Sequence, residues 1–147
     1  MLPNDFREFL QLLNSNSVRY LVIGGYAINF HGYSRNTEDL DVWVALAPGN
    51  AERIASALRQ FGFTAVAPSN FREPGWVVRL GVPPMRLEVL TSISGVDFEE
   101  CYARRETFEA DGVTIPLIGK QDLIANKLAS GRLKDLADAE RLGLSGK

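Results

Sequence analysis

Cysteine and histidine are almost missing from this chain, with one of each, Cys101 and His31, in 147 residues. A lone cysteine forms no intramolecular disulfide, so a reducing compartment, the cytoplasm, is expected. The same scarcity argues against a structural zinc site, and Cys101 has no adjacent histidine to make it a nucleophile. A basic excess is also lacking. Sixteen Lys and Arg against eighteen Asp and Glu give a net charge of -2 and a pI of about 5.4. Sequence-independent nucleic-acid binding rests on Lys/Arg contacts to phosphate, so it is not the expected main task. No apolar run approaches the ~20 residues of a membrane span. No signal peptide is expected either, because Met1 to Leu13 carries Asp5, Arg7 and Glu8. Internal repeats, low-complexity tracts and linkers are absent. What remains is 46% hydrophobic and 23% charged, enough for one domain over residues 1–147 with its own core.

The hydrophobic periodicity predicts a helix over 4–14, with Phe6, Phe9, Leu10 and Leu13 on one face. A buried strand is expected from Val18 to Ile23, then a helix over 25–31 ending at His31, so that Gly24-Gly25 lies on the turn between them. A strand follows from Asp39 to Ala45. Pro48-Gly49-Asn50 reads as a turn and cap for a helix marked by Ile54, Ala57, Leu58 and Phe61 and stopped by Gly62. A short strand from Phe63 to Val66 and a loop from Ala67 to Gly75 come next. Two strands, Trp76 to Leu80 and Met85 to Thr91, then a short helix over 97–103, are followed by a hairpin around Asp111-Gly112. Two helices close the chain, Lys120 to Ser130 and Arg132 to Leu142. The order describes a mixed-sheet α/β (or α+β) domain.

The chemistry concentrates between Tyr20 and Val44. Asp39 and Asp41 stand two apart on one strand and therefore on one side of it, with Trp43. Two carboxylates on one side of an apolar strand repel each other and are costly to desolvate. A divalent cation is the simplest compensation, and magnesium accepts one or two carboxylates together with water and phosphate oxygens. Glu88, in the run Arg86-Leu87-Glu88-Val89-Leu90, offers a third carboxylate; its plainer role is an ion pair with Arg86 or Arg79. Gly24-Gly25 lets backbone amides approach a phosphate at a helix start, or simply packs closely. Lys127 shares the apolar stripe of its helix with Leu123, Ile124 and Leu128. Its ammonium must either snorkel outward or point into a polar cavity.

A glycine pair opening a helix, Asp39-x-Asp41 between hydrophobic residues, and Glu88 on a later strand resemble the pattern of the DNA polymerase beta superfamily of nucleotidyltransferases. The form GGYAINFHGYSRNTEDLDVWV is similar to small bacterial members related to abortive-infection toxins, in which an Arg-x-Thr, here Arg35-Asn36-Thr37, precedes the acids. Lys127, Arg132 and Asp135 in NKLASGRLKDLAD fit the later helix pair of that group. Tyr26 replaces the hydroxyl residue found in Gly-Ser members. The resemblance implies a minimal polymerase-beta-like fold and transfer of an NMP from an NTP, with ATP the expected donor, to an acceptor hydroxyl. Asp39, Asp41 and Glu88 would hold two Mg2+ ions and carry catalysis. Gly24, Gly25, Arg35, Thr37 and Lys127 would hold the nucleotide. The acceptor stays open between RNA, a protein hydroxyl and a small molecule; an antitoxin partner and a homodimer are further expectations. The alternative is a non-catalytic nucleotide-binding regulatory module or toxin–antitoxin partner on the same fold.

Overall fold

The computed structural model describes residues 2–33, 39–82 and 85–144. Six strands form one sheet: β1 (Tyr20–Ile23), β2 (Asp39–Val44), β3 (Val77–Leu80), β4 (Arg86–Leu90), β5 (Glu106–Ala110) and β6 (Val113–Leu117), in the order β3-β4-β2-β1-β6-β5. The β1–β2, β3–β4 and β5–β6 pairs are antiparallel, whereas β2–β4 and β1–β6 are parallel. The helices are α1 (Asn4–Ser15), α2 (Gly24–Phe30), α3 (Asn50–Phe61), α4 (Phe98–Ala103), α5 (Lys120–Ser130) and α6 (Leu133–Leu144). This is the mixed α/β architecture expected. Among the described residues no helix is long and apolar enough to cross a membrane.

Strand alternation sorts the sheet's two faces. Leu40, Val42 and Val44 of β2 are buried on one face, paired in register with Leu87 and Val89 of β4. Asp39, Asp41 and Trp43 take the other face, as do Arg86, Glu88 and Leu90. Trp43 covers sheet as expected: it is 2% exposed and meets Phe98 of α4 edge-on at 5.1 Å. The amphipathic α1 and α3 pack through Phe9 and Phe61, whose ring centroids are 5.5 Å apart. Asp111 and Gly112 both take positive φ, 52° and 81°, which is the geometry a two-residue hairpin turn requires.

One local expectation is corrected. Phe63 to Val66 is not a strand. Gly62 ends α3 at φ 119°, Phe63 rests on Phe61, and the chain then winds into a 3-10 turn, Pro68–Phe71, that buries Phe71 completely. That placement satisfies the segment's aromatic residues without a sheet edge to pair with. The Pro48-Gly49-Asn50 turn leads into α3 as expected, with Gly49 at the N-cap position. Asn50 is fully buried. Its Nδ2 donates to the carbonyls of Arg19 (3.1 Å) and Ala45 (2.8 Å), and its Oδ1 accepts from Arg19 N at 2.9 Å. One amide thus ties together the start of β1, the end of β2 and α3. Asn50→Ala leaves the Arg19 amide and the Ala45 carbonyl short of partners, while the Arg19 carbonyl keeps the Ala45 amide at 3.1 Å. A loss of about 2–3 kcal/mol is expected in urea unfolding, since stranded buried groups carry their full desolvation cost.

Smaller differences concern element ends. The first and third strands begin at Tyr20 and Val77, α2 starts at Gly24, and α6 at Leu133. His31 is the C-cap of α2, and its Nε2 lies 2.8 Å from the Ile118 carbonyl, a structural contact.

Candidate active site

The site forms where β1 ends. Ile23 is paired with Asp41 in the β1–β2 ladder, so the chain leaving Ile23 passes directly over the Asp41 side chain. Gly24 makes that passage at φ 71°, and a Cβ on it would overlap Asp41 Oδ2. Both the conformation and the close approach therefore require glycine. Gly25 follows in the first turn of α2 and does not line the cleft. Tyr26 directs its ring to Phe6 and Phe30. Gly24→Ala is expected to displace the Asp41 carboxylate. Turnover should fall more than tenfold while the melting temperature drops by only a few degrees, because one strained φ costs on the order of 1–3 kcal/mol. An activity assay beside a thermal melt would check this.

Parallel pairing of β2 with β4 sets Asp41 opposite Glu88 and Asp39 opposite Arg86. All four side chains lie on the same face. Asp41 Oδ1 is buried without a hydrogen-bond partner among the described residues. Burial first, then the Glu88 and Asp39 carboxylates, push the Asp41 carboxyl up to about 7, and the Lys127 ammonium pulls partly against them. The other two acids are held by arginines. Arg86 grips Asp39 through Nε at 3.2 Å and Nη2 at 2.8 Å. Arg79 Nε donates to Glu88 Oε2 at 2.8 Å, and Arg86 Nε lies 3.9 Å from the same oxygen. Glu88 thus makes the ion pairs that were its plainer role and also faces Asp41.

The opposite wall of the cleft comes from α5 and α6. Lys127 neither snorkels nor stands alone. It is 9% exposed and reaches Asp135 Oδ1 at 3.2 Å and Asp138 Oδ2 at 3.5 Å. Asp135 also accepts from Ser130 Oγ (2.5 Å) and Arg132 Nε (2.7 Å). Burial alone would raise the Asp135 carboxyl, but the Ser130 and Arg132 hydrogen bonds and the Lys127 charge outweigh it and hold it at about 2. Ser92, Ser94 and Asn126 add further polar groups to the lining. Arg35 and Thr37 lie outside the described residues. Cys101 is fully buried: burial, then Asp122, pushes its thiol up to about 11, far from a nucleophile's range.

Sequence reasoning did not assign Asp138, or the arginine grip on Asp39. The spacing of Asp135 and Asp138, three apart on one helix, was the available signal for the first. Among the described residues no three Asp, Glu, His or Cys side chains are grouped as a ready metal centre, because Asp39 is turned to Arg86. The donor chemistry nonetheless fits a cation. A buried carboxylate oxygen with no hydrogen-bond partner among the described residues lies beside a second carboxylate, and a glycine leaves the approach open.

The fold is that of nucleotidyltransferases. A putative nucleotidyltransferase from Thermotoga maritima, TM1012, superposes with a TM-score of 0.66 at 17% identity, covering 97% of this chain and 91% of its own. The lincosamide antibiotic adenylyltransferase LnuA, solved with lincomycin bound, gives 0.61 at 17% identity over 97% of both chains. ANT(2")-Ia, solved with adenylyl-2"-tobramycin, gives 0.57 at 12% identity, covering 96% of this chain and 86% of its own. Comparison of the sequence with curated proteins gives no match. The family is settled by sequence: residues 2–147 match the model of the family described as "Nucleotidyltransferase of unknown function (DUF6036)". The chain belongs to that family and is a nucleotidyltransferase.

Proposed function

We propose that this enzyme, one catalytic domain over residues 1–147, transfers an NMP from an NTP, with ATP as donor, to the hydroxyl of a small molecule in a magnesium-dependent reaction. The observation that carries the reading is the buried Asp41 Oδ1, without a hydrogen-bond partner among the described residues and set between Gly24 and Glu88. Asp41, Glu88 and Asp39 would hold two Mg2+ ions. Bound magnesium supplies Lewis-acid stabilisation of the charge that develops on the attacking and leaving oxygens. The Gly24 turn that opens α2 brings backbone amides toward the phosphates with no side chain in the way. Lys127 lends positive potential to the same cleft, and a Glu88 carboxylate oxygen takes the proton of the acceptor hydroxyl. The cleft volume, about 280 Å³, sits at the lower bound of the ~300–1,000 Å³ usual for small-molecule sites. That suits the phosphate end of a nucleotide and leaves the open side to the acceptor.

ATP as donor and a small hydroxylated acceptor are supported by the adenylyltransferases that share the fold, one solved with lincomycin and one with an adenylylated tobramycin. Pyrophosphate release with Mg2+ and each NTP, followed by a mass-shift screen of hydroxylated small molecules, RNA and protein, tests the reading. No release with any NTP would overturn it. The setting assigned with it is cytoplasmic, as a toxin–antitoxin or phage-defence component. Growth arrest on induced expression, lost in the inactive enzyme, would support that setting.

A further inference from the structure

The two arginines over the acids have no part in the reaction above, yet their geometry is specific. Arg86 is directly opposite Asp39 in the β2–β4 ladder and meets both of its carboxylate oxygens, at 3.2 and 2.8 Å. Its Nε is also 3.9 Å from Glu88 Oε2, so one guanidinium spans two of the three carboxylates. Its side chain is about one-third exposed, 34%, with solvent on its outer side. A guanidinium does not lose its proton, so this is a fixed positive charge with a planar fork that matches one carboxylate.

We propose that Arg86 is a resident counter-ion that occupies Asp39 in the metal-free enzyme and must be displaced from it when a divalent cation enters. The inference rests on the metal-site reading given above. Asp39, Asp41 and Glu88 lie on one face near the starts of β2 and β4, close enough that Asp39 and Glu88 both repel the Asp41 carboxylate. Arg86 supplies a compensating positive charge in a form the backbone register guarantees. A divalent ion reaching Asp39 meets a guanidinium already on both oxygens. It must either expel the fork or bind beside a like charge, and both weaken its binding. Arg79 cannot replace Arg86 in this, because it reaches Glu88 and its side chain is 62% exposed. Arg86 is thus a positioning residue that sets the metal affinity of the empty enzyme.

The test is calorimetric titration of Mn2+ into nucleotide-free wild type, Arg86→Gln and Arg86→Lys, with thermal melts with and without the ion. Arg86→Gln should bind Mn2+ some three- to tenfold more tightly and melt lower without metal. Mn2+ should therefore raise its melting temperature more than it raises that of wild type. Arg86→Lys, which keeps the charge but loses the fork, should fall between. Equal or weaker binding in Arg86→Gln would overturn the inference. No Mn2+ binding by wild type would instead overturn the metal-site reading beneath it. Should Arg86→Gln not fold, NMR of wild type decides: the Arg86 Nε–H signal, assigned by its loss in Arg86→Lys, should shift and broaden on Mg2+ addition. The signal of the Arg104 Nε–H, which donates to Asp122 Oδ2 at 3.0 Å, should stay. An unmoved Arg86 signal under saturating Mg2+ would reject the displacement.

Discussion

Asp41→Asn should reduce turnover at least about 100-fold, the scale of losing one preorganised electrostatic group from a reaction centre, and should at the same time make the metal-free protein more stable. The second half follows from burial. The Asp41 carboxylate is desolvated, faces Glu88 and Asp39, and has an oxygen without a hydrogen-bond partner among the described residues. Its carboxyl is raised from 3.8 to about 7. Between those values the native chain keeps a proton that the unfolded chain has released. The native state therefore binds more protons, and the Asp41 contribution to stability declines as pH rises through the window and levels off above it. An asparagine has no such proton. At pH 8 without metal the variant should melt higher than wild type, by roughly 2–4 °C for each kcal/mol of relieved repulsion in a chain of this size. At pH 4 that advantage should vanish. Magnesium should reverse the order, raising the wild-type melting temperature and not the variant's. A variant with wild-type turnover, or no more stable at pH 8, would sink the assignment of Asp41.

Lys127→Met should destabilise the protein by about 3 kcal/mol, at the lower end of the cost of stripping one partner from a buried ion pair. The apolar stripe of α5 alone suggests the opposite, that a methionine would remove a strained charge. The difference lies in α6. Asp135 and Asp138 have side chains only 3% and 9% exposed, and both face the Lys127 ammonium. Without it two carboxylates would be left in the interior. Ser130 and Arg132 still hold Asp135, which keeps the loss at the lower end. Urea unfolding gives the free energy, and Lys127→Met combined with Asp138→Asn should recover part of it. Asp135 adds a separate acid limit. Its carboxyl is held at about 2, below its ordinary 3.8, so its contribution is present above that value and is lost as pH falls through about 2. Should the Michaelis constant for NTP rise in the folded variant, Lys127 also serves the nucleotide. An unchanged unfolding midpoint would reject the buried-pair account.

What could be read from the sequence were the features that depend on neighbours along the chain. Asp39 and Asp41 share a face because strands repeat every two residues. Asp111-Gly112 specifies its hairpin because only such residues take positive φ readily. Gly62 and Gly131 stop their helices in the left-handed conformation for the same reason. The glycine turn, the acid pair and Glu88 were enough to suggest a nucleotidyltransferase, and the family match bears that out. Only the tertiary structure decided who meets whom. The β2–β4 register, and nothing local, sets Glu88 opposite Asp41 and Arg86 on Asp39. The docking of α6 on α5 turns Lys127 from a solvent-seeking side chain into the centre of a buried ion cluster. Asn50 becomes a strut because two strand ends arrive beside it. Periodicity fixes the direction in which a side chain points; its partner, and hence its charge state and energy, depend on contacts between segments distant in the chain.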